Sequence, residues 1–185
     1  MAYHHGDLRR ALLAAAIEAI GEHGPAAVSL RDLARRADVS HAAPAHHFGD
    51  KAGLLTAVAI EGFTLLARTL RETGERTGSF LEIGVAYVGF AVDHPAHFAV
   101  MYRPDLYHAD DPAILDARAA ARAALRGGLA MLGQRGNTGD PAVAALAAWS
   151  TMHGLATLWL SGSLPDPPGD DPRAVARAIG LVLFP

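Results

Sequence analysis

The stretch "SLRDLARRADVSHAAPAHHFGDK", residues 29–51, decides how this chain folds. Leu30, Leu33, Ala34 and Ala37 recur at i, i+3, i+4 and i+7, the spacing of one apolar helix face, and Ser29 precedes them as an N-cap with Asp32 three residues on in a capping-box arrangement. Only Asp38 and Val39 intervene before Ser40 offers a second cap. Two short helices joined so tightly cross at a steep angle, which is the helix-turn-helix arrangement. Pro44 leaves two registers open for the second helix, because it lacks an N–H and disfavours helical geometry at Ala43. Either the helix starts from Ser40 with a distorted first turn, or it starts at Pro44 and "SHAA" is a turn. In both registers the segment ending at Phe48 is too short and alanine-rich to stand alone, so Val39, Phe48 and Leu54 are expected inward. His41, Ala42, Ala45 and His46 then form a small, polar outer face, narrow enough to enter a DNA major groove about 12 Å wide.

Lys51, the chain's single lysine, follows at once. Asp50 is expected to cap the next helix, which puts Lys51 in a first turn where the helix dipole disfavours a cation by up to about 1 kcal/mol. A phosphate docking there would reverse that penalty, since amide N–H groups, dipole and ammonium would all address one anion. A solvated surface lysine is the bland alternative.

Composition gives no bulk reason to expect nucleic acid. The 185 residues are 51% hydrophobic with a net charge of −3, enough apolar material for a core of one or two domains. Residues 1–51 hold six Lys/Arg against six Asp/Glu, and the remainder ten against thirteen. Six of the ten histidines lie in that first piece, so its charge rises as pH falls toward the ordinary histidine range near about 6.5. Any DNA contact is therefore expected to be local. With no cysteine there is no disulfide framework or thiolate zinc site. No window is read as a membrane span of about 20 uncharged apolar residues, and "MAYHHGDLRR" lacks the apolar segment of a signal peptide. A cytoplasmic protein without a membrane partner is expected.

Farther along, every periodic segment reads as helix, giving an all-α fold of about nine helices. Leu13, Ile17 and Ile20 share a face closed by Gly24 and Pro25. A long helix runs from the Asp50 cap to about Leu70 with Leu54, Leu55, Val58, Phe63, Leu66 and Leu70 inward, and Gly74 and Gly78 mark a break. Ser79 to His94 and Pro95 to Tyr102 follow. Three later helices open alike, at Asp111-Pro112, Asp140-Pro141 and Asp171-Pro172, with aspartate as cap and proline at the first helical position.

Residues 6–55 resemble the helix-turn-helix of the TetR family of bacterial transcriptional regulators, through "SLRDLARRADVS", "HHFGDK" and "GLL". The resemblance implies residues 1–50 as a DNA-binding domain and 51–185 as an effector-binding and dimerisation domain. It implies that Ser29, Ser40, His47 and Lys51 approach phosphates while Arg31, His41, Ala42 and Ala43 lie near base edges, with His46 on the same outer face. Where the family has tyrosine two residues before "HF", this chain has Ala45, which removes a phosphate-contacting hydroxyl and a packing ring. Arg31 is the one side chain of that set able to grip guanine bidentately, worth about 1 to 3 kcal/mol against a wrong base.

The C-terminal "AAWSTMHGLATLWL", residues 147–160, stacks Trp149 and His153 four apart on one helix face beside Gly154. It is similar to the tryptophan-histidine-glycine regulatory domain of one TetR subgroup, whose start is also similar to "YHHGDLR" at residues 3–9. The family implies that helices of about 141–160 and 172–183 pack against their symmetry mates in a homodimer. Phe80, Tyr87, Phe90, Phe98, Met101, Tyr102, Trp149 and His153 are the candidate lining of an effector pocket; simple core packing is their other reading. The expected function is a ligand-responsive homodimeric repressor of operator DNA, without cofactor or metal. A helical interaction module is the rival. A histidine-metal enzyme is the more remote alternative, disfavoured by spacing: His94 and His97 flank Pro95 at a helix break, His46 and His47 diverge, and no Glu-x-x-His or His-Glu-x-x-His run occurs. No serine elbow or phosphate-binding glycine loop appears either.

Overall fold

The computed structural model describes residues 5–130 and 140–183, and among these every regular element is helical. Nine helices follow in order: α1 (His5–His23), α2 (Leu30–Arg36), α3 (Ala43–Phe48), α4 (Lys51–Thr77), α5 (Phe80–Asp93), α6 (Pro95–Met101), α7 (Pro112–Ala130), α8 (Pro141–Leu160) and α9 (Pro172–Leu183). They divide into two compact units, the first formed by the described part of Met1–Phe63 with Pro95–Asp116 and the second by that of Thr64–His94 with Ala117–Pro185.

In the first unit, α1 buries Leu12, Leu13, Ala16, Ala19 and Ile20. The expected face is thus displaced: Ile17 is only half-buried, because Leu12 and Ala16 carry the stripe one residue earlier. Gly24 closes α1 in the left-handed region, φ 77°, and donates its N–H to the Ile20 carbonyl at 2.8 Å. The α2–α3 turn is a Schellman closure, with Val39 N–H on the Ala34 carbonyl at 3.0 Å and Asp38 N–H on Arg35 at 3.3 Å. Its left-handed residue is Asp38, φ 52°, a residue type that tolerates this region better than most. Leu33 and Ala34 of α2 are fully buried, and Arg36 pairs with Glu22 of α1 at 2.8 Å.

Helix α4 extends past the expected break. Gly74 sits inside it, and the helix ends at Gly78, φ 58°, whose N–H bonds the Gly74 carbonyl at 2.9 Å. An interior glycine costs about 1 kcal/mol, and the buried face continuing through Leu66, Leu70 and Thr73 outweighs it. All three Asp-Pro openings start helices as expected: Asp111, Asp140 and Asp171 accept the N–H of Ala113, Ala142 and Arg173 at 2.8, 2.8 and 2.9 Å.

In the second unit α5 is central, with Ile83, Val85, Tyr87, Val88, Phe90 and Ala91 buried. Helix α9 lies along it, tied by Arg173 to Asp93 and Arg177 to Glu82. Gly89 leaves the space its guanidine neighbour needs: a Cβ there would stand 2.7 Å from Arg173 Nε. The reading that no segment suits a membrane span needs correction. Lys51–Thr77 and Ala142–Leu160 are both long and apolar enough, and the second has no Asp, Glu, Lys or Arg. The apolar window of the first is 61% buried as core, whereas that of the second is 22% buried.

Candidate nucleic-acid interface

Helix α3 begins at Ala43, with Ala42 as its N-cap and no side-chain cap. Of the two registers, the one that leaves the residues after Ser40 as a turn is therefore realised, to within a residue. Ser40 contributes its carbonyl, which accepts the Ala43 N–H at 3.0 Å. Pro44 and Phe48 are the buried residues of α3, and the Arg9 guanidinium of α1 covers the Phe48 ring 5.2 Å from its centroid. That packing turns Ser40, His41, Ala42, Ala45 and His46 to solvent, with Ala43 and His47 half-buried beside them. Ala45, at the position of the family's tyrosine, is thus on the outer face.

Helix α2 presents Arg31 to solvent. Ser29 accepts the Asp32 N–H at 3.1 Å and donates its hydroxyl to Asp32 Oδ2 at 2.8 Å. This hydroxyl, aided by Arg35, holds the Asp32 carboxyl below its usual range. Lys51 is engaged differently from the reading in which it simply awaits an anion: its ammonium donates to the Ala26 carbonyl at 2.6 Å. One of the amides at the start of α4 is also taken, since Gly53 N–H donates to Asp50 Oδ1 at 2.7 Å. A phosphate docking here meets an ammonium already anchored to the α1–α2 turn, with one of its three N–H donors committed.

The eight candidate pocket residues fall into both units. In the second, Tyr87 Oη lies 2.9 Å from His153 Nδ1, and Trp149 stacks on the His153 ring at 5.3 Å and 26°. Phe80 borders Gly128, where a Cβ would meet its ring at 3.0 Å, and Phe90 packs on His94. Phe98, Met101 and Tyr102 belong to the first unit, where Phe98 and Phe63 both meet the Tyr102 ring edge-on and Met101 fills the space beside Gly62. Sequence periodicity missed His97, which is buried and 3.1 Å from Glu61 Oε1. It also missed His108, whose backbone meets Thr56; no spacing signal joins residues 36 or 52 apart.

Burial pulls the His153 imidazole below its ordinary value. The unfolded chain therefore binds the additional proton first, so stability contributed here is complete above the ordinary histidine range and is lost as pH falls through it. Thermal unfolding between pH 7.5 and 5 should show this decline, and His153→Gln should flatten it; an unchanged profile would contradict the assignment.

A three-helix head with a tight α2–α3 turn defines a helix-turn-helix protein. Residues 12–58 match the family described as bacterial regulatory proteins, tetR family, and residues 80–182 match the tetracyclin repressor-like C-terminal domain. The second match spans more than half of the chain, and the chain belongs to the TetR family. A solved structure of a protein of unknown function from Rhodococcus sp. RHA1 is 35% identical, covers 98% of this chain and 96% of its own, and superposes with TM-score 0.82. An HTH-type transcriptional repressor of Mycobacterium tuberculosis is 42% identical over 64 residues, 35% of this chain and 34% of that protein. The HTH-type transcriptional regulator BetI of Agrobacterium fabrum is 44% identical over 63 residues, 34% of this chain and 29% of its own. The matched segment thus spans about a third of these two curated relatives.

Proposed function

We propose that the chain is a cytoplasmic, homodimeric, ligand-responsive transcriptional repressor, with residues 1–50 gripping operator DNA and residues 51–185 binding effector and partner subunit. The observation that carries this is the outward face of α2 and α3, where Arg31, Ser40, His41, Ala42 and His46 are exposed while Pro44 and Phe48 are buried. Ser29, Ser40, His47 and Lys51 serve as phosphate contacts, and Arg31, His41, Ala42 and Ala43 face base edges. Dimerisation is supported by Val143, Leu146, Leu158 and Leu160 of α8 and Leu181, Val182 and Leu183 of α9, all exposed in the single chain, since large apolar side chains gathered on two helices mark interaction surfaces. The Tyr87–His153–Trp149 cluster supports the effector role and membership of the tryptophan-histidine-glycine subgroup. An effector acts by binding the two half-site spacings unequally, for which a difference of about 1 to 3 kcal/mol suffices.

Selection of bound fragments from random duplex DNA, followed by screening small molecules for release, tests this reading. Arg31→Ala should weaken the selected site by about 1 to 3 kcal/mol and relax preference at one base pair per half-site. Lys51→Ala should weaken all sequences alike and reduce the salt slope by about 0.9 for each lost phosphate contact. A dimer that retains no duplex at low salt would be a helical interaction module instead.

A further inference from the structure

The connector between α6 and α7, residues 102–111, is fastened to the first two turns of α4. His108 donates its backbone N–H to Thr56 Oγ1 at 3.0 Å. That hydroxyl, on a buried residue, donates onward to the Ala52 carbonyl at 2.8 Å. The neighbouring Tyr107 is buried too and donates its hydroxyl to the Met101 carbonyl at 2.9 Å. With its backbone held so, His108 is no freely placed surface residue. Its imidazole Nε2 stands 3.4 Å from Asp50 Oδ1, the same oxygen that accepts the Gly53 N–H. The Asp50 carboxyl is held below its usual range by that amide first and by His108 next.

This carboxylate adjoins Lys51 in sequence and has two opposed effects. It caps α4, which favours the helix, and its negative charge repels a phosphate approaching the same end. A ring N–H that engages the carboxylate from the connector side keeps the first effect and offsets part of the second, since it donates to the oxygen that carries the charge. We propose that His108 is a positioning residue for phosphate docking at the start of α4: it holds Asp50 on the Gly53 amide and offsets its field beside Lys51. The inference rests on the DNA-binding reading above and adds a residue from beyond the three-helix head to it.

The test uses the full chain and a duplex fragment selected from a random pool. His108→Ala should weaken binding about two- to fivefold, the scale of a single exposed ion pair, and should speed hydrogen exchange at the Gly53 amide. His108→Lys should restore both, because a donor to the Asp50 carboxylate returns to the same place, which a merely structural loss would not allow. In an Asp50→Asn background, where asparagine still caps the helix, His108→Ala should change affinity no further. Unchanged affinity and Gly53 exchange in His108→Ala, a loss that lysine does not rescue, or a loss that persists in the Asp50→Asn background would each overturn the proposal. Failure of the wild-type protein on every duplex would overturn the DNA-binding reading and this inference together; wild-type binding with an indistinguishable His108→Ala protein overturns the inference alone.

Discussion

A chain carrying Leu146→Glu together with Leu181→Glu is expected to sediment as a monomer at micromolar concentration and to lose about 10²- to 10⁴-fold in operator affinity. The two leucines are 59% and 56% exposed, one on α8 and one on α9, so glutamate displaces no core neighbour and the helical content should stay. In the proposed dimer the same positions lose their water, and a carboxylate buried there without a partner is strongly unfavourable. Affinity falls far more than any one contact is worth because the second half-site is otherwise engaged at an effective concentration set by the linkage of the two heads, and that advantage disappears with the dimer. Sedimentation of the variant as a dimer would remove α8 and α9 from the interface. A monomer that binds the full operator as tightly as wild type would remove the twofold arrangement from recognition.

Phe48→Ala is expected to cost about 3 to 5 kcal/mol of stability, the usual range for truncating a buried phenylalanine, and to abolish sequence-selective DNA binding. Its effect is concentrated in α3. Isolated helices shorter than about 12 residues are marginal in water, and α3 has six residues and no side-chain cap. Pro44 and Phe48 are its buried anchors, with Arg9 laid over the phenylalanine ring. Hydrogen exchange should show the α3 amides opening while those of α5 remain protected. Protection of α3 at the wild-type level would mean that Pro44 and the turn from Asp38 suffice to hold it.

Punctuation was the most legible part of the fold. The Asp-Pro openings of α7, α8 and α9, the Ser29 cap and the Gly24 and Gly78 stops are local hydrogen-bond and φ requirements that a few neighbouring residues state by themselves. Gly74 shows where local punctuation misleads: its helix cost is real, yet the face that carries Thr73 and Gly74 is buried and the helix runs on. The charge-free run Ala142–Leu160 shows another failure, since composition alone does not distinguish a bilayer from a protein surface as the destination of an apolar face.

For the candidate site, residue types and their order determined the helix-turn-helix, the outer face of α3 and the place of Lys51 at the head of α4, because each follows from local spacing within residues 29–51. Tertiary structure alone decided that Lys51 reaches the Ala26 carbonyl, that Tyr87 meets His153, that Phe98, Met101 and Tyr102 belong to the other compact unit, and that His108 stands beside Asp50. The physical reason is range: a cap or a turn is settled by groups already tethered close together, whereas these partners lie between 25 and 66 residues apart and meet only once packing of the helices has closed the intervening chain.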